Sequence, residues 1–128
     1  MNEFSYPRQL RLLTGGDFKQ VFSRASLKVS DKHLLILARP NDLDHPRVGF
    51  VFSKKNIRLA VNRNRVRRII RESFRLNQHK LPNVDIVILA RQGLGDIDNS
   101  EVHALINKSW NRLIGRAKAK SDKSNSNS

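Results

Sequence analysis

Residues 60–75 read AVNRNRVRRIIRESFR. Six arginines crowd this stretch against one acid, Glu72, with Ile69 and Ile70 set among them. Placed at ~100° steps around a helix, Leu59, Val66, Ile69, Ile70 and Phe74 fall on one arc of roughly 140°. That arc predicts a helix from Leu59 to about Leu76 docked on a core. Asn64, Arg67, Arg68, Arg71 and Arg75 form a neighbouring arc of about 100°. Arg63 and Arg65 lie some 160° apart on this wheel, Arg63 near the apolar arc and Arg65 at its opposite margin. Arg63 escapes burial if it sits in the first turn with its stem snorkelling outward. The two are then placed to grip a backbone from two sides, with Asn64 between them.

A charge run on a helix is usually a solvated face, but this one has a single sign. Like charges at i, i+4 cost a few tenths of a kcal/mol each in an isolated helix. A face kept only for solubility would mix signs. Between Lys54 and Arg75 there are nine basic residues and only Glu72 as an acid, a net +8 of the chain's +14. That excess opposes compaction, and a polyanion relieves it. Guanidinium forks suit phosphate oxygens and also stack on bases. An RNA or DNA backbone is therefore preferred over a passive face, with an anionic membrane as the rival.

The chain has 128 residues, 38% hydrophobic, which is one domain with a modest core. It has no cysteine, so disulfides and thiolate zinc sites are excluded. No apolar run approaches the ~20 residues of a membrane span, and the amino terminus lacks the apolar core of a secretion signal. These features suggest a soluble cytoplasmic protein.

Outward from the basic helix, the elements order themselves. Residues 1–13, with Pro7, are expected to be extended or irregular. Thr14 and Asp17 fit an amino-terminal capping box, and Phe18, Val21 and Phe22 continue a short helix to about Ser23. A short strand is expected around Leu27–Val29. HLLILAR (33–39) and RVGFVFSKK (47–55) have strand patterns and suggest an antiparallel hairpin. VDIVILAR (84–91) is a further strand. Asp98 with Glu101 caps a last helix carrying Val102, Leu105, Ile106, Leu113 and Ile114, with Trp110 near that stripe. The domain is taken as residues 1–117, followed by a polar, disordered tail at 118–128. The order α-β-β-β-α-β-α predicts an α+β or mixed α/β domain with one small sheet of about four strands and three helices. Should the strands flanking the basic helix be parallel, the general rule gives a right-handed crossover.

The segment SKKNIRLAVNRNRVRRIIRESFR (53–75) resembles the signature of the bacterial ribonuclease P protein subunit. The residues that carry the likeness are Ser53, Lys54, Lys55, Ala60, Val61, Arg63, Asn64 and Arg65. It extends through Arg11-Leu, Asp17-Phe18, Val21-Phe22, Arg47-Val-Gly49 and Ala90-Arg91, over roughly residues 7–115. The flanks RESFRLNQHKLP and PRQLRLL look most like the enterobacterial branch. The resemblance implies an α-β sandwich, ribosomal-protein-S5-like, whose parallel crossover is left-handed rather than right-handed. It implies a partnership with a catalytic RNA that removes the 5′ leader of precursor tRNA. Mg2+ is then bound mainly by that RNA and the substrate, without a dedicated protein site. No membrane and no obligate protein partner are implied.

By the same resemblance, Lys54, Lys55, Arg63, Asn64, Arg65, Arg67, Arg68 and Arg71 face the RNA subunit. Phe18 and Phe22 offer aromatic surface to the leader, with Phe22 partly in the core and Phe18 the more accessible. Phe50 and Phe52 are assigned to the core. Ile36 stands where some family members place an aromatic leader contact, and it stacks poorly.

Intrinsic catalytic chemistry is not evident. The histidines (His33, His45, His79, His103) have no ligand spacing, and Asp96 and Asp98 suit helix capping. No phosphate-binding glycine loop is present. The competing readings are a non-enzymatic RNA-binding module such as a ribosomal protein, and a protein-only nuclease.

Overall fold

The computed structural model describes residues 13–126, with side chains from 13 to 120. Pro7, Arg11-Leu and most of the expected irregular segment lie outside the described residues. The elements are α1 (Gly15–Arg24), β1 (Leu27–Ser30), β2 (Leu34–Pro40), β3 (Arg47–Val51), α2 (Ala60–Asn77), β4 (Val84–Ala90), a 3-10 turn (Leu94–Asp96) and α3 (Asn99–Ser126). This is the predicted order, three helices on one four-stranded sheet. No helix of the described residues is long and apolar enough to cross a membrane.

The sheet runs β1-β2-β4-β3. β1 and β2 are antiparallel, as are β2 and β4, whereas β3 lies parallel to β4. The expected hairpin of β2 with β3 is therefore not formed: β4 inserts between them. The reason is burial. Every residue of β4 except Leu89 is buried, so the strand has to be covered on both faces and takes a central place. The short β1 pairs with β2 instead, in the register Val29↔Ile36. The parallel pairing makes β3–α2–β4 the crossover connection.

One face of the sheet carries Val29, Ile36, Ala38, Val48, Ile86 and Ile88. They pack with Val66, Ile70 and Phe74 of α2 and with Val102, Ile106, Trp110 and Leu113 of α3. Trp110 Nε1 donates to Ser73 Oγ at 2.9 Å, so the indole crosses the α2–α3 seam with its polar atom satisfied. Leu59 departs from its expected core place. It is the residue before the first helical turn and is 55% exposed.

α3 continues past Ala117, which packs against the core, to Ser126. Lys120 reaches back to the Ser26 carbonyl at 3.2 Å.

The opposite face holds α1. The capping box is present: the Asp17 amide donates to Thr14 Oγ1, and the Thr14 amide donates to Asp17 Oδ2 at 2.9 Å. Val21 and Val87 are both fully buried, and α1 lies across β2 and β4. Gly49 makes this close approach possible. A Cβ there would lie 2.3 Å from Phe18 Cζ and 2.7 Å from Cε1. Gly49→Ala is expected to push α1 off its seat and cost about 1–3 kcal/mol, the usual range for overpacking. Urea denaturation checks it, and a midpoint equal to wild type would contradict the contact.

Candidate nucleic-acid interface

Val66, Ile70 and Phe74 pin α2 from below. Its arginines then divide into two groups. Arg67, half-buried, lies over the Phe52 ring, its guanidinium carbon 5.7 Å from the centroid, and donates to Asn64 Oδ1 at 3.2 Å. Asn64 and Arg68 are exposed and Arg71 is half-buried. Arg75 is held by Glu72, with Nη2 at 2.5 Å from Oε1, and the carboxylate raises the pKa of the guanidinium. Lys54 and Lys55 are exposed in the turn after β3. That turn is fixed by Asn56, whose side-chain amide donates to the Ala90 carbonyl at 2.8 Å.

Arg63 and Arg65 do something sequence reasoning missed. Arg63 Nη1 donates to the Ile57 and Arg58 carbonyls at 2.8 and 3.0 Å. It closes the loop that enters α2, where Leu59 provides no side-chain cap. Arg65 donates to Asn99 Oδ1 at 2.7 Å and to the carbonyls of Gly95 and Ile97 at 3.0 and 3.1 Å. It ties α2 to the turn that starts α3. Both arginines do grip a backbone from two sides of the helix, and that backbone is the protein's own. Between these loops lies a cleft of about 560 Å³ lined by Lys55, Arg58, Asn62, Gln92 and Asp96 among others.

On the α1 face the two phenylalanines exchange their expected places. Phe18 is half-buried, its ring tip on Gly49, while Phe22 is 48% exposed. Ile36 is fully buried beneath the helices on the other face and offers no surface on the α1 side. Its neighbours Leu35 and Leu37 point the other way. Leu35, Leu89 and Val51 align across β2, β4 and β3 as a partly open aliphatic row. Phe50 and Phe52 pack at the edge of the main core with their centroids 5.4 Å apart.

A second feature went unread. Arg47 Nε and Nη2 bind the two Asp85 oxygens at 2.8 and 2.7 Å, and Nη2 also reaches Asp17 Oδ1 at 3.2 Å. Asn41 adds a bond to Asp85 Oδ1 at 3.0 Å. Hydrogen bonding to Asp85 is the main cause that raises the Arg47 pKa. The Thr14 amide is the first cause lowering that of Asp17, with Arg47 contributing. The network clamps α1, β3 and β4 together. Its signal in the sequence is the lone carboxylate inside VDIVILA, since a charge in an apolar strand demands a partner.

The comparisons with known proteins agree with this geometry. The family model described as Ribonuclease P matches residues 6–114. The ribonuclease P protein component of Chromohalobacter salexigens is 57% identical over 113 residues, 88% of each chain. That of Pseudomonas aeruginosa is 53% identical over 109 residues, covering 85% of this chain and 81% of the relative. Among solved structures, the Staphylococcus aureus RNase P protein superposes with a TM-score of 0.68 at 26% identity, over 86% of this chain and 94% of the other. The Thermotoga maritima RNase P protein, in complex with 1-(4-fluorophenyl)-2-thiourea, gives 0.68 at 28% identity, over 84% and 99%. The family match spans the clamped α1, the sheet and the arginine helix together, and the chain belongs to the ribonuclease P protein family.

Proposed function

We propose that this chain is the RNA-gripping subunit of ribonuclease P, acting in removal of the 5′ leader from precursor tRNA. The observation that carries the reading is the single-sign arginine face of α2, pinned by Val66, Ile70 and Phe74. Asn64, Arg67, Arg68 and Arg71, with Lys54 and Lys55, meet phosphates of the catalytic RNA. Arg63 and Arg65 hold that surface in shape and present their remaining N–H groups beside it. Cleavage belongs to the RNA. Mg2+ is assigned to the RNA and the substrate as part of this reading.

The leader lies along the α1 side of the sheet. Phe22 supplies the exposed ring and the Leu35–Leu89–Val51 row supplies an apolar floor. Base stacking on an aromatic contributes ~1–3 kcal/mol. Phe22→Ala is therefore expected to weaken binding of leader-bearing substrate about tenfold while leaving mature tRNA unchanged. Phe18→Ala should instead lower stability, because its ring fills the space over Gly49. Equal losses for substrate and product with Phe22→Ala would remove the leader from this side.

The decisive experiment is reconstitution. The purified protein alone should leave precursor tRNA intact. With the ribonuclease P RNA it should restore correct 5′ maturation at low magnesium. No restoration would return the chain to the class of non-catalytic RNA-binding modules, and cleavage without RNA would make it a nuclease in its own right.

A further inference from the structure

α3 carries a second basic surface that α2 does not explain. Lys108, Arg112, Arg116 and Lys120 recur at every fourth residue, and Lys118 adds to them. From Val102 to Lys120 the helix contains no acid. Successive cations rise ~6 Å along the axis, a tread comparable with neighbouring phosphates of one RNA strand, and the row winds about 120° around the helix.

Contacts orient this row. Trp110 and Asn107 meet Ser73 of α2, so that side of α3 faces the arginine helix. Arg112 meets the Ser30 carbonyl at the end of β1, and Lys120 the Ser26 carbonyl just before it, on the other side, at 3.1 and 3.2 Å. Lys108 and Arg116 are exposed and have no hydrogen bond or ion pair with another described residue. On α2 the geometry is mirrored: Ser73 faces α3, and Arg67 faces Phe52 at the β3 end of the sheet. The two basic surfaces therefore sit at opposite edges of the sheet, β3 and β1. Three strand spacings, about 14 Å, separate those edges before the helices are counted.

We propose that the α3 row is a second docking surface for the phosphate backbone of the ribonuclease P RNA, so that the folded RNA holds the protein at both flanks. This rests on the function proposed above. The like-charged i, i+4 spacing disfavours the helix by itself, and only a polyanion at this flank reverses the sign. The leader is not the partner, because it lies on the α1 face, across the sheet from α3.

The test uses the full chain and the ribonuclease P RNA without substrate. Lys108→Gln with Arg116→Gln removes two charges that no described contact needs. Losing two phosphate contacts should flatten the log–log salt dependence by about 1.5 and weaken binding roughly tenfold at moderate salt. Thermal unfolding should match wild type. A second measurement exploits the absence of cysteine. Hydroxyl-radical cleavage from an iron chelate attached at Asn111→Cys should cut RNA segments different from those cut from a probe at Leu76→Cys. An unchanged salt slope, or no cutting from position 111, overturns the second surface while leaving the function intact. A loss seen only with leader-bearing substrate also overturns it. If the wild-type chain itself does not bind this RNA, the proposed function falls and the second surface falls with it.

Discussion

Arg47→Ala should be the most damaging single change outside the hydrophobic core, lowering the unfolding free energy by about 3 kcal/mol. The substitution strands Asp85, whose side chain is only 5% exposed, with the Asn41 amide as its remaining described partner. An uncompensated buried carboxylate costs more than the pair is worth, which is why the loss exceeds that of a surface bridge. For a domain of this size the melting temperature should fall by about 10 °C. Two further variants separate charge from shape. Arg47→Lys restores the cation without the two-pronged geometry and should recover only part of the loss. Adding Asp85→Asn to Arg47→Ala removes the stranded charge and should recover more. Urea denaturation of the four proteins measures all of this. A loss below about 1 kcal/mol would mean that the network is as well solvated as an ordinary surface pair.

The second large effect is a crossed pair of results on α2. Arg67→Ala with Arg68→Ala should flatten the salt dependence of RNA binding by about 1.5 and weaken binding at least tenfold. Stability should change little, because Arg68 is exposed and Arg67 gives up one bond to Asn64 and its contact with Phe52. Arg65→Ala should do the reverse. It releases the carbonyls of Gly95 and Ile97 and the Asn99 side chain, and charge-assisted bonds of this kind are worth about 1.5–3 kcal/mol. The unfolding midpoint should drop while the salt slope changes by less than one phosphate contact. Urea titration and filter binding over a salt series separate the two. Should Arg65→Ala flatten the slope as much as the double variant with an unchanged midpoint, its contacts to the α3 turn are not what the residue is for.

Much of the fold could be read from the residues. Thr14 and Asp17 announced α1, and the wheel of Val66, Ile70 and Phe74 fixed the side on which α2 docks. Strand neighbours were harder. Short connections favour pairing β2 with β3, and only the near-continuous burial demanded by VDIVILA argues that a later strand should come between them. Phe18 and Phe22 come out in the reverse of their expected ranking, because one turn of helix presents both rings to the same general side. The missing side chain at Gly49, far along the chain, decides which ring sinks. Arg63 and Arg65 look like surface cations on any wheel. Their partners are carbonyls of turns, which leave no trace in composition.

The central place of β4 also dictates when the protein can be finished. During translation, everything before Val84 can close only the β1–β2 ribbon, since β3 pairs with β4 alone. β3 must wait with an unpaired edge, and α2 has no fixed platform, until Ala90 clears the ribosome. A nascent chain therefore meets cellular RNA with arginines that are charged but not yet arranged, and selective assembly with its partner begins only after the last strand has slotted in.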